Sequence, residues 1–318
     1  MSLPAGTFTT FSAIGIREDL SDVIYNIDPV DTPFVSGIEK VRSSAVNHEW
    51  QTQALAAANS ANSILEGDDA TTDTATATTR LGNIHQISRK VSRVSGTDRV
   101  VKHAGRGDEL DYLTMLRGKE LKRDIETILL LNQPKATGNF TTPRAVGAVL
   151  AWIATNTSKG SGGADPSSLG NGLSSRADGS MRAFTEALLK GVLQSCWVNG
   201  GQPDTILVGA FNKQNFSGFT GRSSPIEEAA SRKIVAAVDV YESDFGRLKV
   251  VPDRFMRARD ALVLQMDMWG FATLPGRNMV SFDLAKTGDS DQKEILCEYT
   301  LEARNEKANG IVADLTSA

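Results

Sequence analysis

The alternation of apolar and polar residues predicts the main elements of this chain. Val46, His48, Trp50 and Thr52 alternate with Asn47, Glu49 and Gln51, the period of two expected of a half-buried strand. Ile84–Val94 predicts a second strand. From Asp108 to Leu131 the period changes to that of a helix: Leu110, Leu113, Leu121, Ile125 and Ile128 fall on one stripe, while Lys119, Lys122, Arg123 and Glu126 face away. Asp108 is placed to cap this helix, Glu109 and Asp111 suit its first turn, and Pro134 stops it. At about 1.5 Å per residue it would be a beam of roughly 36 Å. Near the C-terminus Ile295, Cys297, Tyr299, Leu301 and Ala303 alternate with Glu294, Glu298, Thr300, Glu302 and Arg304, which predicts a long half-buried strand.

Weaker patterns fill the interval. Met181–Trp197 predicts a helix that is apolar on both sides and therefore sandwiched, ended by Gly200, Gly201 and Pro203. Thr205–Val208 reads as a strand, Ala210–Phe219 as a short helix, Ile234–Tyr241 with Arg247–Val251 as a hairpin, and Ala261–Met266 as a buried strand. Ser158–Ser180 is a loop, since 13 of its 23 residues are Gly or Ser. Residues 1–42, with Asp28-Pro29 and Thr32-Pro33, predict an extended arm holding one short helix near Glu18–Tyr25.

The segment between the first two strands has no periodicity. Of the 25 residues Ala54–Thr78, 13 are Ala or Thr, four are acidic and none is basic. Arg80–Arg106 carries seven basic residues against one acidic. Strand, long tip and returning strand describe a protruding hairpin with too few apolar residues to cover itself, and an isolated hairpin is marginal in water. The charge division suggests that a second copy covers it. Glu66, Asp68 and Asp69 at the tip would meet Arg89, Lys90 and Arg93 of a neighbour's stem, with His48 and Trp50 as further contact residues. Ordinary packing of Trp50 within its own subunit, and a flexible solvated loop, are the plainer readings.

Composition narrows the function classes. The chain has 318 residues, 40% hydrophobic and 23% charged, as in an ordinary globular protein of one large domain or two joined ones. A net charge of −4 gives no bulk affinity for DNA. No apolar run approaches the ~18 residues of a membrane span, and the N-terminus lacks the features of a secretion signal.

Candidate chemistry is sparse. The three histidines, His48, His85 and His103, have no partner at metal-binding spacing, and neither a nucleophile elbow nor a phosphate loop occurs. Cys196 and Cys297 fall on expected core faces, where thiols are inert. Asp244-Phe245-Gly246 spells a kinase motif without its companions and reads as a hairpin turn; Asn139-Phe140-Thr141 matches a glycosylation sequon by chance. No cofactor, metal or catalytic residue is expected. A soluble hydrolase using Cys196 or a histidine remains the alternative from a different class.

Several phrases, in order along the chain, resemble tailed-phage major capsid proteins of the Hong Kong 97 type. They are Ile27 to Phe34 (IDPVDTPF), His48 to Gln51 (HEWQ), Ala104 to Leu110 (AGRGDEL), Leu121 to Glu126 (LKRDIE) and Gly200 to Val208 (GGQPDTILV). Val240 to Gly246 (VYESDFG), Leu284 to Asp289 (LAKTGD) and Glu298 to Lys307 (EYTLEARNEK) complete the set. The resemblance implies an α+β fold with an N-terminal arm at 1–42 and an extended β-hairpin loop at 43–95 laid over the adjacent subunit. A peripheral domain with its spine helix would follow at 96–135, an axial α/β domain at 136–275, and return strands of the peripheral domain at 276–318. It implies a virion shell of pentamers and hexamers around double-stranded DNA, synthesised in the host bacterial cytoplasm. Its partners would be further copies of itself, a separate scaffolding protein, a portal and a decoration protein, with neither membrane nor sequence-specific DNA contact. The long helical N-terminal scaffolding segment of some relatives has no counterpart, so a separate scaffold or a trimmed chain is implied. The Lys–Asn cross-link of other relatives cannot be matched to positions here. A bacterial encapsulin shell is the alternative within the same fold.

Overall fold

The computed structural model describes residues 31–70, 72–103, 107–167, 170–219 and 239–317. The helix expected at Glu18–Tyr25 and most of the strand expected at Ile234–Tyr241 lie outside them. Short helices form at α1 (Pro33–Gly37), α2 (Gly96–Val100) and α4 (Val149–Trp152), and longer ones at α3 (Glu109–Leu129), α5 (Glu186–Val198) and α6 (Ala210–Ser217). α3 begins where its sequence demands: the Asp108 side chain accepts the Leu110 N–H at 2.8 Å.

A five-stranded sheet is organised around β12 (Ser290–Ala303). Along one edge lies β4 (Gln86–Ser95), antiparallel, in register from Ser290↔Ser95 to Tyr299↔Gln86. Along the other edge, β10 (Trp269–Thr273) and β11 (Val280–Asp283) follow one another, and β1 (Glu39–Arg42) runs parallel to β10. Leu121, Ile125 and Leu129 of α3 share an apolar cluster with Ile295, Cys297, Tyr299 and Leu301 of β12. The alternation read from the sequence of β12 is the alternation that faces the spine helix.

The second sheet has the order β5 (Asn156–Ser158), β13 (Gly310–Val312), β9 (Ala261–Leu264), β6 (Thr205–Val208), β8 (Gly246–Pro252), β7 (Val240–Ser243). Ile206, Val208, Val263 and Val312 pack with Leu189, Val192 and Leu193 of α5 and Phe216 of α6. On the opposite face Leu207, Leu262, Leu264 and Ile311 join the cluster beneath α3. The second sheet is thus covered on both sides, and the two sheets share one continuous core.

The structure corrects five expectations. Ile84–Val94 is not one returning strand. The hairpin partner of β2 (Asn47–Thr52) is β3 (Thr79–Ile84), after which His85, its N–H on the Val46 carbonyl, turns the chain into β4. Glu126 does not face solvent; α1 and the turn after β8 pack on its flank of α3, and it is fully buried. α5 starts at Glu186, because Arg182 is held extended against the chain end: its N–H donates to the Asp314 carbonyl and its carbonyl accepts the Thr316 N–H. It is also not sandwiched, for Trp197 and Val198 are exposed, the indole lying beside the ring of Phe245 at 5.6 Å. Finally, β13 does not return with β12 to the first sheet. Gly310 lets it pass under α5, where a Cβ would meet Val192 Cγ1 at 2.4 Å, and it pairs between β5 and β9.

Candidate assembly surface

The hairpin β2–β3 is anchored at its root within its own chain. Asn83 is fully buried, and its amide donates to the carbonyls of Gly147 (3.0 Å) and Leu301 (2.7 Å). Its oxygen accepts the N–H groups of Gly147 (2.8 Å) and Ile84 (2.9 Å). His48 lies 3.3 Å from the Glu302 carboxylate, and Trp50 is half-buried with its ring 5.4 Å from that of Trp152. Trp50 is therefore engaged within the subunit. Its buried indole N–H has no acceptor among the described residues.

His85 is buried in the same root, and burial pushes its pKa down to about 4. Between its ordinary value near 6.5 and about 4, the unfolded chain takes up a proton that the folded chain does not. Stability at this site is therefore present at neutral pH and lost as pH falls through that window. Unfolding titrations at pH 7 and pH 5 should show this loss in the native chain and a smaller one in His85→Gln. An equal loss in both would contradict it.

Beyond the root the hairpin is uncovered. Every described residue from Gln53 to Arg80 is exposed, including Leu55, Ile64 and Leu65. The tip turns at Gly67, whose φ of +88° suits glycine, with Asp68 N–H on the Leu65 carbonyl. Glu66, Asp68 and Asp69 there form no ion pair among the described residues.

The basic stem divides by strand alternation. Lys90 turns inward to α3, 2.8 Å from Asp124. Arg89 and Arg93 point outward, Arg89 at 3.5 Å from Glu294 and Arg93 donating to Thr287 at 3.1 Å. With them the outer sheet face shows exposed Ile87 and Val91, and the register Val91↔Glu294↔Phe282 sets a further exposed ring in the same row. Below, Glu298 is buried between Arg144 (2.9 Å) and Arg277.

Next to this face stands a feature that sequence reading missed. Phe140 is fully exposed on a rigid turn: Asn139 Oδ1 accepts the N–H groups of Thr141 and Thr142, and Ala136 bridges Ala145. Gly138, at φ +69°, closes the turn where a Cβ would strike the Arg144 backbone. Phe140, Ile87, Pro143 and Arg144 line a hollow of about 490 Å³. The Asn-x-Thr triplet that matched a sequon is the signal of this Asx turn.

Both cysteines are buried. Burial pushes the Cys196 thiol up to about 12 and raises that of Cys297, so both stay protonated. Among the described residues no cluster of His, Cys, Asp and Glu could hold a metal, and no helix is long and apolar enough to cross a membrane.

A sequence profile of the SU10 major capsid protein family matches residues 3–316, almost the whole chain. The chain belongs to that family. It is a phage major capsid protein, a component of the virion shell that associates with its own kind. A major capsid protein of Escherichia phage Phieco32 is 26% identical and is covered, like this chain, over 96% of its length. The capsid of Cyanophage A-1(L) superposes with a TM-score of 0.65 at 14% identity, covering 97% of this chain and 98% of that one. A Gordonia phage Cozz chain gives 0.62 at 10% identity, covering 99% and 98%. An encapsulin of Synechococcus elongatus gives 0.57 at 11% identity, covering 95% and 94%. These structures establish the Hong Kong 97-type fold for this capsid protein.

Proposed function

We propose that this capsid protein forms pentameric and hexameric capsomers of an icosahedral shell around double-stranded phage DNA, with no catalytic role. The observation that carries the reading is the hairpin beyond its root. It exposes Leu55, Ile64 and Leu65 with an acidic run that forms no ion pair among the described residues, every one of which from Gln53 to Arg80 is exposed. Solitary proteins rarely present such a segment without a partner to cover it. In a closed lattice each copy both lends and receives the same contact. Residues 1–42 act as an arm, 43–95 as the extended loop, 96–135 with β12 as the peripheral part and 136–275 as the axial part. The net charge of −4 suits a container that does not adhere to its contents. A separate scaffold, a portal and a decoration protein are its further partners, and synthesis is in the host cytoplasm.

The receiving surface is the outer face of β4, where Arg89 and Arg93 flank Ile87 and Val91. His48, Trp50 and Lys90 contribute by holding the root and stem in place. Negative-stain electron microscopy of the purified chain, alone and co-expressed with its scaffold, should show closed shells or rings of five and six. A chain that stays monomeric in both conditions would overturn the reading. Reversing Glu66, Asp68 and Asp69 to Lys should cut shell yield at least tenfold while circular dichroism stays unchanged. Normal shells from this variant would refute the proposed contact. Exposed pairs of this kind weaken with salt, so the yield should also fall with ionic strength.

A further inference from the structure

The spine helix carries one carboxyl group that its amphipathic pattern places on the wrong side. Glu126 is fully buried, and its two oxygens accept the N–H groups of Phe34 (2.6 Å) and Val35 (2.8 Å). These are the first donors of α1, which its N-cap residue leaves open: the Thr32 hydroxyl lies against Ser36 Oγ instead. Glu126 thus caps α1 from another element.

A second carboxyl group faces it. Asp253, on the turn after β8, is also buried; its N–H donates to the Val208 carbonyl and its Oδ1 accepts the Phe255 N–H at 2.8 Å. Asp253 Oδ2 is buried and receives no hydrogen bond from any described N–H or hydroxyl. A proton on Glu126 supplies the missing donor. Two carboxylates held together in a buried site cannot both ionise cheaply. Burial is the larger cause that pushes Glu126 up to about 8, with Asp253 adding to it and the two N–H bonds opposing it. Burial raises Asp253 too.

The other charges at this junction do not neutralise the pair. Lys40, on β1, donates to the Val35 carbonyl and lies over the Phe271 ring at 4.9 Å; its attraction to Glu126 is outweighed by burial of its own ammonium. On α3, Arg123 sits over the ring of Phe255 at 5.4 Å.

We propose that Glu126 and Asp253 form a proton-held clasp that fastens residues 33–38 to the spine helix and to the six-stranded sheet, and that opens when the shared proton is lost. The clasp is a property of the subunit and does not depend on the assembly reading. The sign follows from linkage. The folded chain holds a proton that the unfolded chain has already released above about 4.5, so the clasp's contribution is full in acid and declines as pH rises towards 8.

Hydrogen exchange by mass spectrometry, corrected for intrinsic rates, tests this on the purified chain between pH 6 and pH 9.5. Protection at Ser36 and Ile38, whose N–H groups bond to Thr32 and Phe34, should fall by up to about tenfold per pH unit as pH rises from 6 towards 8 and level off above it, while β10 and β12 stay protected. In Glu126→Gln the protection should be independent of pH. In Asp253→Asn the loss should shrink, because an amide can donate to an ionised Glu126. A flat profile in the native chain, an unchanged loss in either variant, or a loss spread equally over β10 and β12 would overturn the proposal.

Discussion

Trp152→Ala should lower the stability of this capsid protein by about 3–5 kcal/mol, the range for removing a large aromatic from a packed core. The ring is fully buried, and it stands where three parts of the chain meet. Trp50 of the hairpin lies 5.4 Å away and the Lys135 ammonium sits over the ring at 5.3 Å. Gly172, at φ +71°, passes so close that a Cβ would lie 2.8 Å from ring carbons. The indole N–H donates to the Gly147 carbonyl at 3.1 Å. Collapse around the lost ring is hindered by the strands of the hairpin root on one side and the loop of Gly172 on the other. At roughly 2 °C per kcal/mol for a chain of this size, the thermal transition should drop by on the order of 6–10 °C. Trp152→Phe keeps most of the ring area, and the Gly147 carbonyl keeps its bond from Asn83, so it should cost only about 1–2 kcal/mol. A fall of less than about 1 kcal/mol for the alanine variant in denaturant titration would show that Trp152 does not hold the root.

The elements legible in the sequence were those whose register is set locally. α3 has a capping Asp108 and a stripe of Leu and Ile, and β12 has alternation over ten residues; both formed where expected. What the sequence could not show was the partner on the second face. Glu298, Thr300 and Glu302 alternate with apolar residues and read as a solvated row, yet all three are buried. Their cover is made of Arg304, two residues on, and of Arg144, Arg277, His48 and the Ile84 carbonyl, which come from other elements. Likewise, β4 has Ile87 and Val91 on one face and Ser88, Lys90 and Ser92 on the other. The apolar face is the outer one, because Lys90 meets Asp124 and the Ser88 hydroxyl meets that of Tyr299 at 3.1 Å. An alternating strand shows that it has two faces without showing which is in. Glu126 was misplaced for a related reason: a helical wheel knows nothing of α1, which packs on it. The exposure of the acidic tip and the outward direction of Arg89 and Arg93, on which the contact is proposed, follow from the lack of apolar residues in the tip and from strand alternation. The Phe140 turn was missed because its Asn-x-Thr signal has several meanings.

Asn83→Leu should be at least as damaging as loss of Trp152, although it removes little volume. The Asn83 side chain uses all four of its hydrogen-bonding capacities inside the protein. Leucine leaves the Gly147 and Ile84 N–H groups without an acceptor and takes a donor from the Leu301 carbonyl. At about 1–3 kcal/mol for each stranded buried group, the loss should be on the order of 3–6 kcal/mol. Asn83→Asp separates the donors from the acceptors. A carboxylate can still accept the N–H groups of Gly147 and Ile84, but it turns lone pairs towards the carbonyls of Gly147 and Leu301. Only the protonated acid can donate to one of them, so burial and the carbonyl dipoles must raise the pKa of the new group in the folded chain. The folded state then binds a proton that the unfolded chain has lost above about pH 3.9. Stability of Asn83→Asp should therefore be closest to that of the native chain in acid and fall as pH rises. Asn83→Leu should show no such additional slope. Unfolding titrations at pH 5 and pH 8 on the three chains decide the matter. If Asn83→Asp loses no more stability at pH 8 than at pH 5 relative to the native chain, the amide does not donate to these carbonyls.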